Sequence, residues 1–121
     1  HGDFISCGKA FVAPGNKHLL LKKNRLALSN DPPVNRFRPS IDVLFESALS
    51  CSPQRVFAII LTGMSNDGVR GIVRLKENGS VTIAQDEATS AVFGMNKEAI
   101  ERGGINLVMS PDEMIEYFRR I

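Results

Sequence analysis

Tryptophan is absent from this chain of 121 residues, tyrosine occurs once, and there are two cysteines and two histidines. Each scarcity removes a class of protein. Cys7 and Cys51 stand far apart, with no C-x-x-C pattern and no histidine beside either, so neither a disulfide framework nor a zinc site is legible. Two isolated cysteines fit reduced thiols in a cytoplasmic protein better than a bridge. His1 and His18 have no partner at ligand spacing, and no metal or organic cofactor is expected. No apolar run approaches the ~20 residues that a membrane-crossing helix requires, so no membrane insertion is expected. No signal-peptide pattern opens the chain, and a start at His-Gly-Asp suggests a processed chain or an excised piece. Fifteen basic against 13 acidic residues give a net charge of +2, too weak a field to imply nucleic acid. Only Phe37, between Arg36 and Arg38, offers the basic–aromatic interleaving of a single-strand binder.

What is present is the composition of one ordinary globular domain, 43% hydrophobic and 23% charged. Residues 9–30 read as three short strands joined by Gly-Asn and Lys-Asn turns, a small antiparallel element. Three prolines between residues 30 and 39 impose an irregular loop. A first helix is expected from about Pro39, because Ile41, Leu44, Phe45, Ala48 and Leu49 recur at helical spacing. From residue 55 onward, buried strands alternate with helices. A continuous apolar strand ends at Thr62-Gly63, and a helix is expected from about Asn66 to Asn78, with Val69, Ile72, Val73 and the Lys76 stem on its inner face. The strand "SVTIAQD" follows, then a short helix with Asn96 as expected N-cap, then the strand "INLVMS". Ser110, Pro111 and Glu113 spell a capping box for a last helix whose inner face is read as Met114, Ile115, Phe118 and Ile121. The expected fold class is therefore α/β: a parallel, doubly wound, Rossmann-like sheet over residues 39–121 with flanking helices, behind the antiparallel element.

The stretch "LTGMSNDGVRG", residues 61–71, is where such a fold places its chemistry, at the carboxyl end of a strand. Four meanings compete. A phosphate loop would use Gly63 and Gly68, but Val69 and Arg70 follow where lysine and a hydroxyl are needed, and Asp67 repels the anion. A nucleophile elbow would use Ser65, but Asp67 replaces the second glycine and no histidine follows. A catalytic carboxylate would use Asp67 to orient a histidine. The fourth is structural: an aspartate in the first turn of a helix is a favoured cap. Asp86 and Glu87, beyond the next strand, either line the same crevice or are solvated turn residues.

The stretches "FVAPGNKHLLL", "RPSIDVLFESA", "LTGMSNDGVRG" and "TIAQDEATSAVFGMNKEAI", in that order, resemble the catalytic domain of the chemotaxis protein-glutamate methylesterases, the CheB family. The resemblance implies a serine hydrolase that demethylates glutamate methyl esters of chemoreceptors, deamidates certain receptor glutamines, and needs no cofactor. It puts Asp67 on the triad aspartate and Met64 beside the oxyanion position. Ser40 and His18 fall on positions that are neither nucleophile nor base. Ser65 stands where the family usually has glycine, and Asn96 where it has proline. The family's nucleophilic serine and catalytic histidine lie upstream of the "FVAPG" segment. By this resemblance residues 1–121 are a partial catalytic domain, the C-terminal two-thirds, without the receiver domain, inactive alone and prone to self-association. In the intact parent enzyme, Asp67→Asn is expected to leave folding nearly unchanged while cutting kcat by up to ~10⁴. A non-catalytic scaffold that binds a chemotaxis partner, and a hydrolase built on Ser65, are the alternatives.

Overall fold

A computed structural model describes residues 1–121. β1 (His18–Lys22) and β2 (Arg25–Ser29) form an antiparallel hairpin closed by Lys23-Asn24, with Lys22 opposite Arg25. The third strand expected at residues 9–14 does not form. A strand exists only where a ladder partner satisfies its backbone. Residues 9–14 have none, and Phe11 and Val12 are exposed.

After the proline loop, α1 (Ile41–Ser47) begins on the cap Ser40 and tightens into a 3-10 turn over Ala48–Ser50. The second unit is β3 (Phe57–Ile60), α2 (Val69–Glu77), β4 (Val81–Gln85), α3 (Met95–Glu101), β5 (Leu107–Met109) and α4 (Pro111–Arg119). The three strands pair in parallel in the order β3-β4-β5, with Ile59 opposite Ile83 and Ala84 opposite Val108. The α/β architecture, a parallel sheet with helices and a small antiparallel hairpin, is the one the residue pattern implies.

Ala58 and Ile60, one face of β3, join Val69, Ile72 and Leu75 of α2 and Met95 and Ala99 of α3 in the main core. Side chains alternate along a strand, so Phe57 and Ile59 point to the other face, where Phe118 of α4 meets Phe57 edge-on at 5.4 Å. That face is thinly covered: Phe57 and Leu61 remain exposed, whereas a strand covered on both faces was expected.

Three helix details differ from the periodicity. α2 starts at Val69 rather than Asn66, and Leu75 takes a fully buried inner position in place of the Lys76 stem, whose Nζ donates to the Ile105 carbonyl instead. Asn96 is not the cap of α3. Gly94 is, because the N–H groups of Gly94 and Met95 both donate to the Gly63 carbonyl and fix the start two residues earlier. α4 carries the full capping box, but it buries Met114 and partly Tyr117 and Phe118, leaving Ile115 and Ile121 in water.

Candidate functional site

The chain leaves β3 at Ile60 and reaches Asp67 in a turn on the carboxyl side of the sheet. Thr62 and Gly63 tie this turn to the segment before α3. Thr62 Oγ1 donates to the Val92 carbonyl at 2.8 Å, and the Gly63 N–H donates to the same oxygen at 3.1 Å. Gly68 then takes φ +97 and caps α2 without a side chain, so Asp67 does not cap the helix it precedes.

Asp67 instead serves α1. Its residue is 2% exposed, and its carboxylate accepts four hydrogen bonds. Oδ2 takes the Ile41 N–H at 2.6 Å. Oδ1 takes the Ser40 hydroxyl at 2.7 Å, the Asn35 amide at 3.0 Å and the Asp42 N–H at 3.2 Å. The first four N–H groups of any helix lack intrahelical partners. In α1 all four are satisfied: Ser40 by His18 Nδ1, Ile41 and Asp42 by Asp67, and Val43 by the Ser40 hydroxyl.

The service is reciprocal. Asp42 of α1, also 2% exposed, accepts the Gly71 N–H of the first turn of α2 at 2.7 Å and the Asn35 amide at 2.7 Å. Two helices thus cap each other with one carboxylate each. Close approach makes this feasible, and glycine makes close approach feasible. A Cβ on Gly68 would lie 2.7 Å from Ile41 Cγ2, and one on Gly71 2.7 Å from Phe45 Cβ. Neither carboxylate is in an ion pair, since the four salt bridges engage Glu46, Glu98 and Glu116. Charge-assisted bonds from N–H and O–H donors replace the lost hydration.

The other residues singled out from the sequence are spread more widely. The Met64 side chain is 83% exposed, one residue beyond the tied Gly63. Ser65 Oγ accepts the Asp67 N–H at 3.3 Å and lies 3.9 Å from Met95 Sδ. No imidazole is free to activate it. His18 is 1% exposed, with Nδ1 accepting the Ser40 N–H at 3.2 Å and Nε2 donating to the Pro32 carbonyl at 3.0 Å; His1 Nδ1 accepts from Leu28 N–H. Ser40, His18 and Asp67 therefore touch without forming a relay, because the serine hydroxyl points at the carboxylate and the imidazole meets only main chain.

Asp86 is a turn residue, accepting from the N–H and hydroxyl of Thr89, and Glu87 is exposed. Asn96 is fully buried, and its amide clamps this turn by donating to the Gln85 carbonyl and to Ser90 Oγ, both at 2.9 Å. Asn35 and Asp42 are the site residues that spacing did not single out. Their only sequence signal was the turn-forming "PPVNR" and the acidic second position of a helix.

A polar recess of about 150 Å³, lined by Asn35, Asp42, Asn66 and Arg70 among others, opens beside the Asp42 carboxylate, and Asp67 is not part of its lining. The arrangement is a fixed, buried carboxylate at the carboxyl end of a parallel sheet, where α/β proteins assemble their sites.

A family model described as CheB methylesterase matches residues 1–118. The chain is 49% identical over 118 residues to a protein-glutamate methylesterase/protein-glutamine glutaminase of Geobacter metallireducens, covering 94% of this chain and 32% of that protein. A protein of the same description from Burkholderia pseudomallei is 48% identical over the same shares. The chain thus spans about a third of the length of the curated relatives it matches. Among solved structures, the Thermotoga maritima CheB methylesterase catalytic domain superposes with a TM-score of 0.88 at 34% identity, covering 96% of this chain and 66% of that one.

Proposed function

The chain belongs to the CheB methylesterase family, and we propose that it is the part of a protein-glutamate methylesterase domain that supplies the triad aspartate, Asp67, and the Met64 side of the oxyanion position. The nucleophilic serine and the histidine come from a segment upstream of residue 1 in the parent protein. That parent also carries a receiver domain that regulates it, and its substrates are methylated glutamates and certain glutamines of chemoreceptors. The observation that carries this proposal is the Asp67 carboxylate, buried and held by four donors beyond the end of β3.

The reaction is acyl transfer. The serine oxygen attacks the γ-carbonyl carbon of the methyl ester as the histidine accepts its proton. Asp67 holds that imidazole in one tautomer and stabilises the imidazolium. The tetrahedral intermediate collapses, the imidazolium protonates the departing methoxide, and methanol leaves. Water, deprotonated by the same imidazole, hydrolyses the acyl-enzyme and returns the glutamate carboxylate. With glutamine the first leaving group is ammonia. Met64, exposed on the turn after Gly63, borders the place where the carbonyl oxygen becomes negative.

Methanol release from methylated receptor tests the division of labour. The 121-residue chain alone should release none, and adding the upstream segment in trans should restore hydrolysis. Esterase activity from the chain alone would overturn the assignment and return Ser65 to consideration.

A further inference from the structure

The two oxygens of Asp67 are unequally used. A carboxylate offers about four acceptor directions, two on each oxygen. Oδ1 is engaged by three donors, from Ser40, Asn35 and Asp42, while Oδ2 is engaged by the Ile41 N–H alone. The remaining acceptor direction is therefore on Oδ2. From this asymmetry we infer that Ser40 and Asn35 are positioning residues, which lock Oδ1 so that Oδ2 is the oxygen presented to the histidine. The inference rests on Asp67 being the triad aspartate.

Each positioning group is itself fixed. Ser40 is 2% exposed and has one proton to give, and it gives it to Asp67. Its N–H is held by His18 Nδ1, and His18 is anchored through Nε2 to the Pro32 carbonyl. His18 is thus a strut behind Ser40. Asn35 sits in a two-residue turn in which Val34 and Phe37 exchange both backbone hydrogen bonds, at 3.0 and 2.9 Å. That turn holds Asn35 at φ +53 and Arg36 at φ +71. Asparagine tolerates the left-handed region better than most residues, but arginine there is strained. Such strain persists only where surrounding contacts over-determine it. Here the Asn35 amide is shared between Asp42 Oδ2 at 2.7 Å and Asp67 Oδ1 at 3.0 Å.

Glycine at position 40 removes the hydroxyl, acceptor and proton together, but costs the helix little because it is itself a tolerated N-cap. The hydroxyl proton is what capping does not require. Ser40→Gly therefore separates the two roles.

The experiment uses the full-length methylesterase that contains this chain, assayed by methanol release from methylated receptor across pH. Ser40→Ala, Ser40→Gly and Asn35→Ala should each lower kcat roughly ten- to a hundredfold, the scale of one hydrogen bond to a charged group, with KM within about twofold. Loss of the Ser40 proton leaves more negative charge on Asp67, which stabilises the imidazolium, so the acid limb of kcat/KM should move to higher pH. Ser40→Thr, which keeps the hydroxyl, should restore both. Asp67→Asn in the same protein separates the two levels of inference. A loss below about tenfold there removes the triad assignment and the positioning role with it. A large loss there, with unchanged kcat and pH profile in Ser40→Gly and Asn35→Ala, overturns the positioning role alone.

Discussion

In the proposed function Asp67 combines two duties that the sequence presents as rivals. Two of the four donors on its carboxylate are the first N–H groups of α1, which it caps together with Ser40, and the same fixation suits it to orient a histidine. Asp67→Asn should therefore cost more than catalysis. An amide in its place turns an NH2 group toward donors and weakens the remaining bonds by removing the charge. Folding should lose about 1–3 kcal/mol, the scale of a buried donor left unpaired, where near-neutrality was expected. Urea unfolding of wild type and variant measures the loss, and an unchanged midpoint would show that α1 does not depend on Asp67. In the full-length enzyme the same change should cut kcat by up to ~10⁴. The Ser65 hydroxyl, which accepts the Asp67 N–H, is dispensable by comparison: Ser65→Gly should leave kcat within a few-fold, because it removes one neutral hydrogen bond.

Among the elements, the α1–α2 pair holds the site. The two helices meet where Gly68 and Gly71 leave no side chain in the gap, and the mutual capping by Asp42 and Asp67 depends on that approach. Gly71→Ala should be tolerated by an isolated helix, since alanine has the higher helix propensity. In this fold its Cβ would lie 2.7 Å from Phe45 Cβ and 3.0 Å from Asp42 Oδ1. The pair must part, at a cost of about 1–3 kcal/mol, and the Asp67 carboxylate moves with it. Thermal unfolding and kcat of the full-length enzyme should fall together. A stabilised Gly71→Ala would mean that propensity outweighs packing here. At the far end, Ser110→Ala breaks a capping box remote from the site, and should cost about 1 kcal/mol of stability with no change in kcat.

Taken whole, the molecule has an open flank. β3 lies at one edge of the three-stranded sheet with only β4 beside it. An apolar cavity of about 300 Å³ sits between the hairpin, α1 and β3, lined by Phe11, Leu21, Phe45, Val56, Phe57 and Leu75 among others. An uncovered apolar strand edge invites pairing with another chain. Sedimentation velocity of the 121-residue chain should therefore show self-association, and Leu61→Lys, at a residue 50% exposed just past β3, should reduce it. Sedimentation as a compact monomer would show that the open edge does not drive association. The catalytic domain of which this chain covers 66% in the Thermotoga maritima structure has further chain available to lie there.

Periodicity and capping chemistry carried most of the element order: the hairpin turn at Lys23-Asn24, the end of α2 at Asn78, and the Ser110–Glu113 box depend on residues within a few positions of one another. Such local preferences are expressed wherever the segment sits, which is why they are legible in a linear string. The motif order was equally legible and placed the chain in its family. Which oxygen meets which donor was not. Asp67 reads locally as a cap for the helix that follows it, yet it caps one that begins 26 positions earlier in the chain. Asn96 reads as a cap and became a clamp on the 85–90 turn. A hydrogen-bond acceptor takes whichever donor the packed elements deliver, and the delivery here depends on two glycines that let α1 and α2 touch. Sequence determined the segments and the chemistry available; tertiary packing decided the partners, because a carboxylate's direction is set by the donors that surround it in space.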